Sequence, residues 1–325
     1  GERLVTAGAD GTAVIWDAAT GAVLRVLPHA SAVVSIRVLP VGGRVLTGTS
    51  EGRATVWVAA SGEALLEIDD CDPRTLEVSS EAEVVLASMM GRRTAWDIAS
   101  GDLVCALPGL RNIDVEVAPR AFPCSSKVVT VIRNGAAAVV WDAEACEDIC
   151  EIVPPEPVIG ISVSSSCDSI AVAGVSGVGT WRADDCVHVR SLYALDGISM
   201  GWGGGVVAAE FLPNRDWLVV LGYRTASIRN ATSGEEIQRV SSPPDSFFAS
   251  LVASPGGDVV VTCGPGEVIV WEASTGLPLH VLPNVDAPRQ TVGTWPFCTV
   301  AIGLGNTFDP HGFGRGVSAR HALGV

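Results

Sequence analysis

The chain has 325 residues, of which 48% are hydrophobic and 18% charged, with a net charge of −15. That is enough apolar material for a large core, while the acidic balance argues against a nucleic-acid surface, which needs a basic stripe. No apolar run reaches the ~18 residues of a membrane span, and Lys127 is the one lysine, so a phosphate-loop or Schiff-base lysine has a single candidate that sits in no such motif.

In chain order, Glu2–Gly8 and Thr12–Asp17 read as two strands, followed by Ala22–Leu27, Val33–Leu39, Arg44–Gly48 and Ala54–Val58. Their links hold Pro28-His29, Gly42-Gly43 and Glu51-Gly52, which is turn chemistry. The strand ending in Trp16 returns along the chain with anchors at Trp57, Trp96, Trp141, Trp181, Arg229 and Trp271, 39 to 48 residues apart. Four short strands per unit at that period indicate a β-propeller. The predicted fold is all-β: a seven-bladed β-propeller of four-stranded antiparallel blades, with almost no helix.

Each unit is expected to contain the strand before the anchor's own hairpin, as in Ala22–Leu27 through Ala54–Val58. On that division the chain starts in mid-blade. Leu277–Leu282 then supplies the first strand of a shared blade and Thr291–Leu304 the second, so the N- and C-terminal strands pair to close the ring and remove an open sheet edge. The propeller is expected over residues 1–304. Residues 305–325, Gly-rich and without alternation, read as a tail.

The segment Ala9-Asp10-Gly11-Thr12, with Val14-Ile15-Trp16-Asp17 and Thr20-Gly21, resembles the WD-repeat (WD40) family, and Pro28-His29 falls where that family has Gly-His. The resemblance covers positions 1 to about 302. It implies a buried polar network in a blade: His29, Thr47 and Trp57 match three of its positions, with Glu51 in place of Asp. The match is poorer elsewhere. Arg229 replaces an anchor Trp, and Val58 and Arg182 replace the Asp after Trp, so those blades are expected to rely on apolar packing.

The nine cysteines (71, 105, 124, 146, 150, 167, 186, 263 and 298) form no C-x-x-C pair and have no histidine partners at metal-ligand spacing. They read as reduced, buried small hydrophobes, which points to an intracellular compartment, the cytoplasm. The chain begins Gly1-Glu2, so targeting is not legible. Gly197-Ile198-Ser199-Met200-Gly201 fits a hydrolase elbow by letters but is followed by Gly203-Gly204-Gly205 rather than a helix, and reads as a loop. Asn230-Ala231-Thr232 reads as an ordinary turn.

No cofactor or metal is expected, and no catalytic residue. The function that the resemblance implies is a protein–protein interaction scaffold, a WD-repeat subunit of a larger intracellular complex. Two alternatives stay open: a ligand-sensing or regulatory propeller cut from a larger chain, and an enzyme with its site in the central channel. The second needs polar groups on the innermost strands, which read as apolar or small. Two partner surfaces are suggested. One is Met200 and Trp202 in the long loop 194–205. The other is the set of acids after the anchors, among them Glu144, Glu147, Asp148, Asp184 and Asp185, which would favour a partner with a basic surface. Arg92 and Arg93 mark the opposite, mixed face.

Overall fold

In a computed structural model, the structure describes residues 3–17, 20–39, 42–79, 83–89, 92–108, 117, 119–132, 135–193, 205–242, 247–248, 250–254, 256–264 and 267–283. The described residues form seven antiparallel sheets, and the fold is an all-β, seven-bladed β-propeller. The only helical element among them is one 3-10 turn, Pro73–Thr75. The chain divides into two compact units, residues 1–161 with 183–187, and residues 162–182 with 188–325.

In the first unit, β1 (Arg3–Ala7), β2 (Thr12–Asp17) and β3 (Val23–Pro28) form one sheet. The next is β4 (Val33–Val38), β5 (Arg44–Thr49), β6 (Ala54–Val58) and β7 (Ala64–Ile68). Then come β8 (Glu77–Ser79), β9 (Val84–Met89), β10 (Arg92–Asp97) and β11 (Leu103–Pro108), followed by β12 (Arg120–Ala121), β13 (Lys127–Ile132), β14 (Ala137–Asp142) and β15 (Glu147–Ile152). The fifth sheet is β16 (Gly160–Val163), β17 (Ser169–Ala173), β18 (Gly177–Arg182) and β19 (His188–Tyr193). The sixth is β20 (Val206–Phe211), β21 (Trp217–Gly222), β22 (Thr225–Asn230) and β23 (Glu236–Ser241). The last is β24 (Ser250–Ala253), β25 (Val259–Cys263), β26 (Glu267–Glu272) and β27 (Pro278–Pro283).

These sheets shift the expected blade boundaries by one strand. The strand after each anchor pairs with the anchor strand, not with the strand that follows it. So β3 belongs with β1 and β2, and β27 belongs with β26. The first sheet therefore takes three strands from the N-terminus rather than two, and Leu277–Leu282 completes the last sheet instead of opening a shared one. The expected closing strand within 291–304, and the tail 305–325, lie outside the described residues.

After Trp16, Trp96, Trp141 and Arg229 the residue that follows the anchor caps the turn. Asp17 Oδ1 accepts from the Thr20 amide and hydroxyl, each at 2.7 Å, and Gly21 N donates to Asp17 O at 2.9 Å. Asp97 Oδ1 takes the Ala99 and Ser100 amides at 2.9 and 2.6 Å, and Asn230 Oδ1 takes the Ser233 amide at 2.6 Å. A side chain capping its own turn closes a tight hairpin and leaves the next strand no other partner. The ladder slips by one residue at the anchor in all seven hairpins, Arg229 included. Such bulges raise the local twist and re-aim the anchor side chain.

The core lies between neighbouring sheets. Ile15 and Leu27 pack with Val45 and Trp57; Leu46 and Leu66 pack with Leu76 and Val85; Leu86 and Cys105 pack with Val128 and Trp141. In the second unit, Ala171 and Leu192 pack with Phe211 and Leu218, and Leu221 and Ile228 pack with Leu251 and Trp271. Within each unit these sheets are buried by their neighbours, so no such sheet is expected to hold its shape alone.

Candidate functional site

Several residues that could carry function turn out to hold the framework. Thr47 Oγ1 accepts from Trp57 Nε1 at 2.8 Å and lies 2.8 Å from His29 Nε2, while its own proton goes to Thr55 O at 3.3 Å. With that proton spent, His29 must donate from Nε2, so its neutral form is the Nε2–H tautomer. Burial pushes the His29 imidazolium below its ordinary range, in keeping with this. The imidazole meets Trp57 edge-on at 5.2 Å. Glu51 takes no part: it stands exposed in the β5–β6 turn, and His29 Nδ1 has no hydrogen-bond partner among the described residues.

Three other anchors repeat the indole–hydroxyl bond across the sheet: Trp16 to Thr6 at 2.8 Å, Trp141 to Thr130 at 2.9 Å and Trp271 to Thr262 at 2.7 Å. Trp96 uses Thr94 on its own strand at 3.2 Å. Trp181 instead lies over Gly179, where a Cβ would fall 2.2 Å from its ring. Arg229 replaces the indole with an ion pair to Glu236 at 2.8 Å and a contact to Ser227 Oγ at 3.3 Å.

Among the candidate partner residues, Arg93 and Asp148 are also framework. Arg93 is 5% exposed and makes a bidentate pair with Asp148, at 2.7 and 3.1 Å. Its guanidinium lies 5.5 Å from the centre of the Trp141 ring. This ties β10 to β15, two neighbouring sheets, and removes both residues from the candidate surface. Asp184 is committed too, to Lys127. Arg92 is exposed. Met200 and Trp202 lie outside the described residues.

What stays on the surface is a set of carboxylates. Glu63, Asp102, Glu144, Glu147 and Asp185 are all exposed, and all stand just after anchors, at corresponding ends of successive hairpins in the first unit. The acids directly after the anchors have a different task. Asp97 is held below the usual carboxylate range by the Ser100 amide and hydroxyl. Burial would raise Asp142, but the Ala145 and Glu144 amides, the Ser126 hydroxyl and Lys127 together lower it. These ions fasten turns; Glu144 and Glu147 project from the turn so fastened.

A second cluster was not legible in the sequence. The first strands of three successive sheets bring Arg37, Glu77 and Arg120 together, with Glu77 Oε2 3.8 Å from Arg37 Nε and 3.4 Å from Arg120 Nη1. The first strands are therefore not uniformly apolar or small. The cluster is a carboxylate between two guanidinium groups, a donor-rich spot in an acidic protein. Its only sequence signal was a charge on each of three separate strands.

The cysteine expectation is also overturned. Cys105 is bonded to Cys146, and Cys150 to Cys186; Cys124 and Cys167 are disulfide-bonded as well. Cys71 is a buried free thiol, its pKa pushed up to about 11 by burial. The partners stand 41 and 36 residues apart, close to one repeat period, so adjacent spacing could not reveal them. Among the described residues no group of three or more His, Cys, Asp or Glu side chains is arranged to hold a metal ion.

No family model matches the chain, and no curated protein matches it in sequence. Solved structures do. The C-terminal WD40 domain of Sif2 matches with a TM-score of 0.69 at 12% identity, covering 83% of this chain and 78% of that one. The fold is a WD40-type β-propeller. The computationally designed Ika8 protein matches with a TM-score of 0.68 at 21% identity, covering 86% of this chain and 84% of that one. At these identities the likeness speaks for fold. No helix among the described residues is long and apolar enough to cross a membrane.

Proposed function

We propose that this propeller is a non-catalytic interaction scaffold that receives a basic protein partner on the turns following its anchors. The observation that carries the proposal is the exposure of Glu63, Asp102, Glu144, Glu147 and Asp185 on corresponding turns, in a chain whose one lysine is already paired there. Like-signed carboxylates repeated at blade spacing raise the local potential and steer an oppositely charged surface. The turns beneath Asp102, Glu144 and Glu147 are capped by Asp97 and Asp142, so little ordering entropy is lost on contact there.

The test uses the whole chain as bait, as wild type and as Glu144→Arg with Glu147→Arg, against extract from the native source. Proteins that depend on the two carboxylates should fall at least fivefold on the reversed bait and should be basic. An unchanged capture profile would overturn the proposal. Asp148 is left intact in this test, because reversing it would break its pair with Arg93 and unsettle the fold.

A further inference from the structure

One position in each repeat links a blade to its neighbour. Nine residues after each anchor, on the last strand of its sheet, stand Arg25, Leu66, Cys105, Cys150, Arg190 and Gln238. Each reaches the turn that follows the next anchor. Arg25 Nε donates to Ala60 O at 3.1 Å, Arg190 Nε donates to Thr232 O at 3.1 Å, and Gln238 donates to Thr275 O. Leu66 lies 3.7 Å from where a Cβ on Gly101 would stand. At the two remaining links the same strand position is joined to the turn covalently, as Cys105–Cys146 and Cys150–Cys186.

The turn residue is as telling. Five residues after the anchors stand Gly21, Gly62, Gly101, Cys146, Cys186, Gly234 and Gly276, every one with positive φ. Five are glycine, for which a left-handed backbone is free. The other two are the cross-linked cysteines, at φ 56° and 54°, where a side chain is penalised. A reduced cysteine there costs stability and returns nothing; a cross-linked one restricts the unfolded chain. The same two turns carry acids of the proposed interaction surface: Cys146 stands between Glu144 and Glu147, and Cys186 follows Asp185.

The geometry points to a redox-operated clamp, in which oxidation of Cys105 with Cys146 and of Cys150 with Cys186 fastens the two most acidic turns to the last strands of the preceding blades, and reduction frees them. In each closure two thiols give up two protons and two electrons, one S–S bond forms, and the S–S bond of a low-molecular-weight disulfide oxidant breaks to yield two thiols. The clamp is closed where such an oxidant prevails, so the propeller works in an oxidising compartment or reports the loss of one. The effect on partner binding rests on the interaction reading above; the clamp itself does not.

The test compares the full chain with its Cys146→Gly, Cys186→Gly variant, each with and without dithiothreitol. Glycine is the residue that these turns carry elsewhere, so the variant keeps its backbone. Without reductant, N-ethylmaleimide should leave Cys105, Cys146, Cys150 and Cys186 of the wild type unlabelled, and the wild type should melt higher than the variant by on the order of 10 °C. With reductant the order should invert, the variant melting about 2–4 °C above the wild type, because glycine removes the left-handed penalty. Cys124 and Cys167 respond alike in both proteins and cannot produce the inversion. Ready labelling of the four native cysteines, or a reduced wild type as stable as the reduced variant, would overturn the clamp. Association of a nona-arginine peptide should slow severalfold when the wild type is reduced and stay constant when the variant is. A peptide rate indifferent to reduction, with the melting order still inverted, would refute the clamp's control of the acidic turns. Failure of the Glu144 and Glu147 reversal would instead refute those turns as the binding surface.

Discussion

Replacing Asp148 should damage the fold far more than replacing its partner, although the two residues share the same pair of hydrogen bonds. The Arg93 side chain is 6% exposed and the Asp148 side chain 52%. Asp148→Ala leaves a guanidinium in an apolar site with its carboxylate gone. Stripping one partner from a fully buried pair costs ~3–5 kcal/mol, and the water that reaches the half-exposed Asp148 position reduces this to ~2–3 kcal/mol. Arg93→Met keeps an unbranched stem over Trp141 and releases Asp148 to water, leaving no charge in the seam, so it costs less, ~1 kcal/mol. In the Arg93→Met background, Asp148→Ala should then cost under ~0.5 kcal/mol, because no charge is left to strand. The coupling is ~2 kcal/mol, well outside additivity. Urea unfolding of the wild type, both single variants and the double variant measures it, provided that the slopes agree. Equal losses in the two single variants, or strictly additive losses in the double, would refute the assignment of this pair as framework.

Thr47→Val should cost ~2–3 kcal/mol in the same assay, since two buried donors, Trp57 Nε1 and His29 Nε2, lose their acceptor at once; Thr47→Ser should recover most of it. Gly257→Ala should be at least as harmful, because φ is 72° and the new Cβ would meet Pro213 O at 2.1 Å; a variant that melts with the wild type would contradict the local geometry. The half-buried His29 titrates below its unfolded value of 6.5, so the unfolded chain binds more protons as pH falls. The neutral imidazole's contribution is therefore complete above pH 6.5 and is lost on acidification from there towards the folded pKa. His29→Gln should flatten that part of the stability–pH curve, and an unchanged slope would place the titration elsewhere.

The fold was largely legible because the anchor is marked twice, by an indole and by the turn that follows it. That is why Arg229 could be aligned without a Trp: its strand keeps the same bulge and the same capped turn through Asn230. Blade boundaries were less legible. Apolar alternation says that Ala22–Leu27 is a strand, but not which neighbour it pairs with; the Asp17–Gly21 turn decides that, through hydrogen bonds that a linear pattern does not display. The cysteines misled for a related reason. Their partners lie one repeat away, and the informative signal was substitutional: Cys146 and Cys186 stand where every other repeat has glycine. Arg93 and Asp148 were placed on opposite faces by counting turns, whereas the side chains of both reach across to the same inter-sheet seam. Arg37, Glu77 and Arg120 escaped notice because the contact among them is three-dimensional.

The most direct test of the account is the association rate of the captured partner with purified propeller at low and at high salt. Wild type, Glu144→Arg with Glu147→Arg, and Arg92→Glu are compared. The wild-type rate should fall roughly tenfold or more between about 30 and 300 mM salt, as screening shortens the reach of the exposed carboxylates. The double reversal should be slow at both salts and Arg92→Glu should follow the wild type. A wild-type rate indifferent to salt, or a loss confined to Arg92→Glu, would contradict it.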